Sequence, residues 1–161
     1  YSDNRIQLKD RRNYAQFWNS LDALSENSFY EASNKNTNPT VEEMQQYILA
    51  QLRADLAGEA RRFGVPLIAT ELGKPDWDGT NYDFTTTSGR VQDTQEQADW
   101  LEAMLRSFYI LQQNDGVNVK GMFMWNMHTR QQLSRMGVGS RDFRERPAED
   151  LIGLWFKPYS G

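Results

Sequence analysis

The stretch GVPLIATELGKPDWDG, residues 64–79, runs an apolar segment into a carboxylate. Val65 to Thr70 read as a buried strand, and Glu71 then arrives with no basic residue beside it before Gly73 and Lys74-Pro75 break the strand. A glutamate so placed is either a rim residue held in a salt bridge or a group that rigid backbone aims into an open site. A second apolar segment, VKGMFMWNM at 119–127, ends near Trp125, with Asn126 and His128 just beyond. On a strand there, Phe123 and Trp125 share one face and Met122 and Met124 take the other. Trp125 reads as a stacking platform or as a core residue, and His128 as a cleft residue or an ordinary loop histidine. Asn27, Phe29 and Tyr30 follow the short segment LDALS. Trp77, Asp78, Asn81 and Tyr82 sit in a long loop after Glu71. Aromatic rings with amide and carboxyl groups are what a sugar subsite uses, and they equally suit a loop packed on its own aromatics.

The elements that must position these residues alternate. DRRNYAQFWN at 10–19 suggests a short helix, and Leu21–Ser25 a short strand. Asp22 lies inside that apolar segment and should have a partner, with Arg12 or Arg53 as candidates. Thr40 and Glu43 have capping-box spacing, and Val41, Met44, Ile48, Leu52, Leu56 and Ala60 form one face of a long helix closed by Gly64. Residues 73–92 form a long irregular loop, and compact domains seldom carry such a loop without a use for it. Asp93 or Thr94 caps the next helix, whose apolar face is Ala98, Leu101, Met104, Leu105, Phe108 and Leu111. A third strand covers Val119–Met127, and after a polar loop Pro147 opens a last helix with Leu151, Ile152 and Trp155 inward. Arg53, Arg61, Arg62, Glu96 and Glu102 read as solvated helix faces.

Strands alternating with long helices predict α/β architecture with a parallel sheet. Long loops follow the strands and only a few residues follow the helices. That asymmetry is the layout of a β/α barrel, whose site is built from the loops after the strands. Three such units cannot close a barrel of eight, so the chain reads as part of one.

Composition narrows the classes further. The 161 residues are 39% hydrophobic and 12% aromatic, with five tryptophans and seven tyrosines. A net charge of -4 without a basic block argues against a nucleic-acid partner. No apolar stretch reaches the roughly 18 residues of a membrane span. With no cysteine there is neither a disulfide scaffold nor a thiolate metal site, and a single histidine makes a zinc site or a Ser-His-Asp triad improbable. The chain starts at Tyr1 without a methionine or signal segment, so a mature or cut N-terminus is expected; targeting cannot be read from it and the compartment stays open, leaning extracellular or secreted.

FWNSLDALSENSFYEA, PTVEEM, GVPLIATELG, DTQEQADWLEAML, VKGMFMWNMH and DFRERPAEDLIGLWF, in that order, resemble the C-terminal part of glycoside hydrolase family 113. This is a (β/α)8-barrel family that includes β-mannanases, and related phage-tail barrel domains are similar too. The resemblance spans nearly the whole chain and implies that residues 1–161 are the C-terminal part of one TIM-barrel domain. Leu21–Ser25, Pro66–Thr70 and Gly121–Asn126 would then be strands six, seven and eight. Strands one to five would come from preceding or partner polypeptide. It further implies a retaining glycoside hydrolase acting on an oligo- or polysaccharide, without cofactor or metal. Glu71 matches the family's nucleophile at the end of strand seven, while the acid/base glutamate of strand four lies outside the chain. Trp125 would shape the sugar subsite, with Asn27, Tyr30, Trp77, Asn126 and His128 as further substrate-binding candidates. The family reads Asn, any residue, Tyr after strand six, and that tyrosine can hydrogen-bond the nucleophile. Here Phe29 holds the matching place and Tyr30 comes one later, so either the register shifts or the bond is absent. A non-catalytic remnant, kept as a structural or carbohydrate-binding part of a larger assembly, is the alternative.

Overall fold

Thr40 opens the first long helix as the spacing predicts. Its hydroxyl accepts from the Glu43 N–H, and the Glu43 carboxylate accepts from the Thr40 N–H. The structure, a computed structural model, describes residues 20–83, 89–133 and 137–157. The expected helix at 10–19 lies outside them.

The chain runs β1 (Leu24–Asn27), α1 (Val41–Leu52), a one-turn π segment (Arg53–Ala57), α2 (Gly58–Phe63), β2 (Leu67–Leu72), α3 (Thr94–Gln113), β3 (Val119–Met124), α4 (Arg130–Leu133) and α5 (Pro147–Trp155). The expected helix over 41–60 is therefore interrupted by the π turn. Met44, Ile48, Leu52, Leu56 and Ala60 still bury along one side. Gly64 ends α2 at φ 66°, the left-handed conformation that glycine adopts without a Cβ penalty. Asp93 caps α3 by accepting the N–H groups of Gln95 and Glu96. Every expected apolar position of α3 is buried, joined by Trp100 and Ala103.

The three strands form one parallel sheet in the order β1-β2-β3. Leu24, Leu67 and Val119 lie in one cross-strand row, Ala69 pairs with Met122, and Leu72 with Met124. These rows face the helices, where Leu24, Leu67, Ala69 and Leu72 are buried and Val119, Met122 and Met124 pack against them. Each large aliphatic side chain sealed there stabilises the fold by about 1.5–3 kcal/mol. The opposite face carries Ser25, Ile68, Thr70 and Gly121, with Phe123 63% exposed. No described strand pairs with the outer edge of β1 or of β3. No described helix is long and apolar enough to cross a membrane.

The strand limits differ from the sequence reading. β1 begins three residues later than expected, and Asp22 falls before it, exposed. Arg53 instead pairs with Asp115, at 2.6 Å. β2 extends through Leu72, so Glu71 lies inside the strand rather than past it. β3 ends at Met124, three residues short of the expected limit.

Candidate active site at the strand ends

The carboxyl ends of the three parallel strands lie side by side, and the long loops after them gather there. Connections at the other end are short, from Gly64 to Pro66 and from Asn114 to Asn118. β2 is central, so its last residues meet backbone on both sides. The Ser28 N–H donates to the Glu71 carbonyl at 2.6 Å, and the Trp125 N–H donates to the Leu72 carbonyl at 2.8 Å. Ala69 and Leu72 both face the helices although three residues apart, and the ladder shifts register between them. Such a bulge turns the intervening pair, Thr70 and Glu71, toward the open face. Glu71 is half-buried and Thr70 exposed. Asn27 pairs with Glu71 in the ladder, and its side-chain oxygen accepts the Thr70 hydroxyl at 2.9 Å. The bond ties the ends of β1 and β2 together on the open face.

Gly73 lets the β2 and β3 loops touch. A Cβ there would stand 1.9 Å from the Trp125 carbonyl oxygen, so only glycine permits this approach. Trp125 follows β3 directly, and the Trp125–Asn126 peptide is cis. Its indole is 43% exposed and Met127 is 68% exposed, while Asn126 and His128 are half-buried. Glu71, Thr70, Asn27, Phe123 and Trp125 thus share one open face at one end of the sheet. A carboxylate and an open indole at the same end of one sheet are groups that can act on a substrate, the first as nucleophile or base and the second as a stacking surface.

Two candidates stand elsewhere. Tyr30 is 2% exposed, its hydroxyl donating to the Glu26 carboxylate at 3.4 Å and its carbonyl accepting the Trp100 indole N–H. It sits in the core, its hydroxyl satisfied by Glu26 and its backbone carbonyl meeting the indole N–H of Trp100 on α3. Trp77 is 3% exposed, with its N–H donating to the Asp83 carbonyl at 3.2 Å and the Arg90 guanidinium over its ring. It organises the loop from within, so neither ring presents a face to the open side. Asn81 is likewise buried, held by Glu96 and by the Ser33 hydroxyl.

Glu96, expected on a solvated face, is instead a buried clamp. Its carboxylate accepts the N–H groups of Gly79 and Asn81 at 2.7 and 2.9 Å, fastening the loop after β2 to the first turn of α3. Burial pushes its pKa up, against the lowering pull of those donors. Periodicity alone could have shown that Glu96 lies close to the apolar stripe. The clamp's partners are 15 and 17 residues away in an irregular loop, where no spacing rule reaches.

Sequence reasoning also missed a buried ionic network behind the site. Asp76 and Asp142 are fully buried. Asp76 pairs with Arg146 at 2.9 Å and accepts the Gly139 N–H and the Gln92 amide. Asp142 accepts the His128 N–H at 2.6 Å and pairs with Arg144, which also donates to the His128 carbonyl. The alternating charges of SRDFRERP were the only sequence signal. Burial alone would raise the Asp142 carboxyl, but the Arg144 guanidinium and the N–H groups of His128 and Arg144 outweigh it and hold the pKa at about 2. A depressed folded-state pKa gives stability that is present above the usual carboxylate range and is lost as pH falls toward 2. We therefore expect the segments 125–128 and 139–146 to loosen between about pH 4 and pH 2, costing roughly 2 kcal/mol, with the transition absent in Asp142→Asn. Near-ultraviolet circular dichroism of the tryptophans against pH checks this.

Parallel strands backed by helices on one side, with long loops gathered at their carboxyl ends, define part of a β/α-barrel fold. Solved structures bear this out. The chain matches a GH113 β-1,4-mannanase with a TM-score of 0.63 at 17% identity, over 92% of this chain and 43% of that one. The GH113 β-mannanase AaManA from Alicyclobacillus acidocaldarius, in complex with ManMIm, gives 0.61 at 21%, over 92% and 42%. A further GH113 β-1,4-mannanase complex gives 0.57 at 17%, over 93% and 43%. The chain thus spans less than half the length of each. At these identities the likeness establishes the fold. No family model matches the chain, and no curated protein matches it.

Proposed function

We propose that the chain is the C-terminal portion of a (β/α)8-barrel glycoside hydrolase, with β1, β2 and β3 standing as strands six, seven and eight. It supplies the nucleophile side of a retaining site for a β-linked, mannan-like polysaccharide. The observation that carries this reading is Glu71: a half-buried residue on the central strand, its carbonyl bonded by the Ser28 N–H and the next residue, Leu72, by the N–H of an exposed Trp125. Likeness of fold to mannanases supports the substrate class.

In this reading the sugar ring stacks on the Trp125 indole and a Glu71 oxygen attacks the anomeric carbon. The glycosidic C–O bond breaks as a second carboxylic acid gives its proton to the departing oxygen. Water, deprotonated by that same group, then releases the sugar from Glu71 with net retention. The second carboxyl group must stand about 5–5.5 Å from Glu71 and belongs to polypeptide beyond the described residues. Hydrolysis of β-1,4-mannan by the protein with its barrel complete, and its loss in Glu71→Gln, is the direct test. Full activity in the variant would overturn the assignment of Glu71, and a complete barrel that hydrolyses no β-1,4-mannan would leave the non-catalytic remnant.

The missing barrel half is the partner this reading requires. An open face bearing Ile68 and Phe123, flanked by two edges that no described strand pairs with, invites association. The 161-residue chain alone is expected to sediment as oligomers or aggregates and to become a defined species with the other half. A well-folded monomer would contradict the incomplete barrel.

A further inference from the structure

We propose that Asp76 and Arg146 are positioning residues: their buried ion pair locks the loop behind Glu71 to the loop behind Trp125, and so sets where the stacking indole stands relative to the carboxylate. This rests on the glycosidase reading for its consequence, though the clamp itself is geometric.

The contacts form a closed circuit. From Glu71 the chain passes through Gly73, which abuts the Trp125 carbonyl, to Lys74, whose own carbonyl accepts the Gln97 amide at 2.7 Å. Two residues on, the Asp76 N–H donates to the Ser140 carbonyl at 3.0 Å, and its carboxylate accepts the Gly139 N–H at 2.6 Å. Arg146 meets that carboxylate with one nitrogen while the other donates to the carbonyls of Asp142 and Ser140, at 2.7 and 3.3 Å. Asp142 in turn holds the backbone N–H of His128. The segment from Trp125 to His128 is thereby pinned at both ends, by Leu72 and Gly73 at its start and by Asp142 and Arg144 at its finish.

The choice of residues points to geometry rather than stability. A buried ion pair returns little net stabilisation, because desolvating both charges offsets their attraction, and well-packed apolar groups often do as well. What charges with fixed donors and acceptors supply is one allowed arrangement. Arg146 is suited to this because its planar fork bonds the Asp76 carboxylate and two loop carbonyls at once. Meanwhile the side chains carried by the pinned segment remain open, Trp125 and Met127 above all. A rigid backbone carrying exposed apolar groups is how a stacking platform is preorganised.

The test compares Asp76→Asn with Leu56→Ala, a core truncation in the π turn that lowers stability away from these loops. Binding of β-1,4-mannohexaose is followed by tryptophan fluorescence, and amide hydrogen exchange is measured on the same full-length proteins. Asp76→Asn is expected to weaken binding at least about tenfold and to speed exchange of residues 125–128 and 139–142 together, with α1 and α3 unchanged. Leu56→Ala is expected to leave both readouts as in the wild type. Unchanged loop exchange in Asp76→Asn, or an equal loss of binding in Leu56→Ala, overturns the proposal. Should wild-type protein bind no mannohexaose, the carbohydrate reading fails, and the exchange data alone decide whether the clamp exists.

Discussion

Glu71→Gln is expected to reduce hydrolysis of β-1,4-mannan by on the order of 10^5-fold when the barrel is complete, with KM little changed. The amide keeps the size and hydrogen-bonding reach of the carboxylate, so the strand end should keep its shape. What disappears is the negative charge that, in the proposed mechanism, forms the covalent bond and faces the cationic sugar as it develops. Activity is measured as reducing ends released, and circular dichroism confirms the fold. A second variant separates nucleophile from acid/base. Glu71→Ala leaves room for a small external anion, and azide should restore cleavage with formation of an inverted glycosyl azide. An azide product of retained configuration would place Glu71 on the acid/base side instead. The scaffold around Glu71 supports the nucleophile's role: backbone bonds from Ser28 and Trp125 flank it on both sides, so the carboxylate starts from a fixed point.

Gly73→Ala is expected to cost about 3 kcal/mol or more, the upper end for overpacking, and to disturb Glu71 and Trp125 together. The new Cβ would meet the Trp125 carbonyl oxygen at 1.9 Å and its carbon at 3.0 Å, both of them backbone. No rotamer change relieves such a clash. Backbone cannot retreat easily either, because the Trp125 N–H is already bonded to Leu72. Gly121→Ala is the control. It lies in β3 with nothing within 4 Å of the Cβ position, and it should change stability by less than about 1 kcal/mol. Urea unfolding midpoints of the two variants give the comparison. Equal midpoints would mean that the β2 and β3 loops do not approach as closely as described.

Local signals were legible where one segment contained all the relevant physics. The Thr40–Glu43 box, the Asp93 cap, the Gly64 stop and the buried stripes of α1 and α3 each depend on residues within a turn or two. The alternation of strands and helices then left a parallel sheet as the simple arrangement, and the order β1-β2-β3 followed from sequential pairing. Strand limits were harder to read. Leu21 is apolar yet exposed before β1, and Glu71 is charged yet lies within β2, because pairing with neighbours outweighs the polarity of a residue at a strand end.

The candidate site was legible in its center and not around it. Glu71 and Trp125 stand out because each ends an apolar run. Tyr30 and Trp77 have the composition of sugar-binding residues but serve the core and the loop, since an aromatic ring buries wherever a polar atom waits for its O–H or N–H. Glu96 shows the converse, a charge on an amphipathic helix that turns inward because two loop N–H groups need an acceptor.

By itself the sequence determined the three strands, the long helices and the parallel α/β class, and it singled out the two strand-end residues on which the proposed chemistry rests. Local periodicity and capping are encoded within a few residues, so they survive without knowledge of the rest. Tertiary structure alone decided that Asp76, Arg146 and Asp142 meet, that Glu96 clamps the loop, and that Gly73 must be glycine. Those contacts join residues far apart in the chain, through loops whose path follows from packing and from the need of every buried charge for a partner.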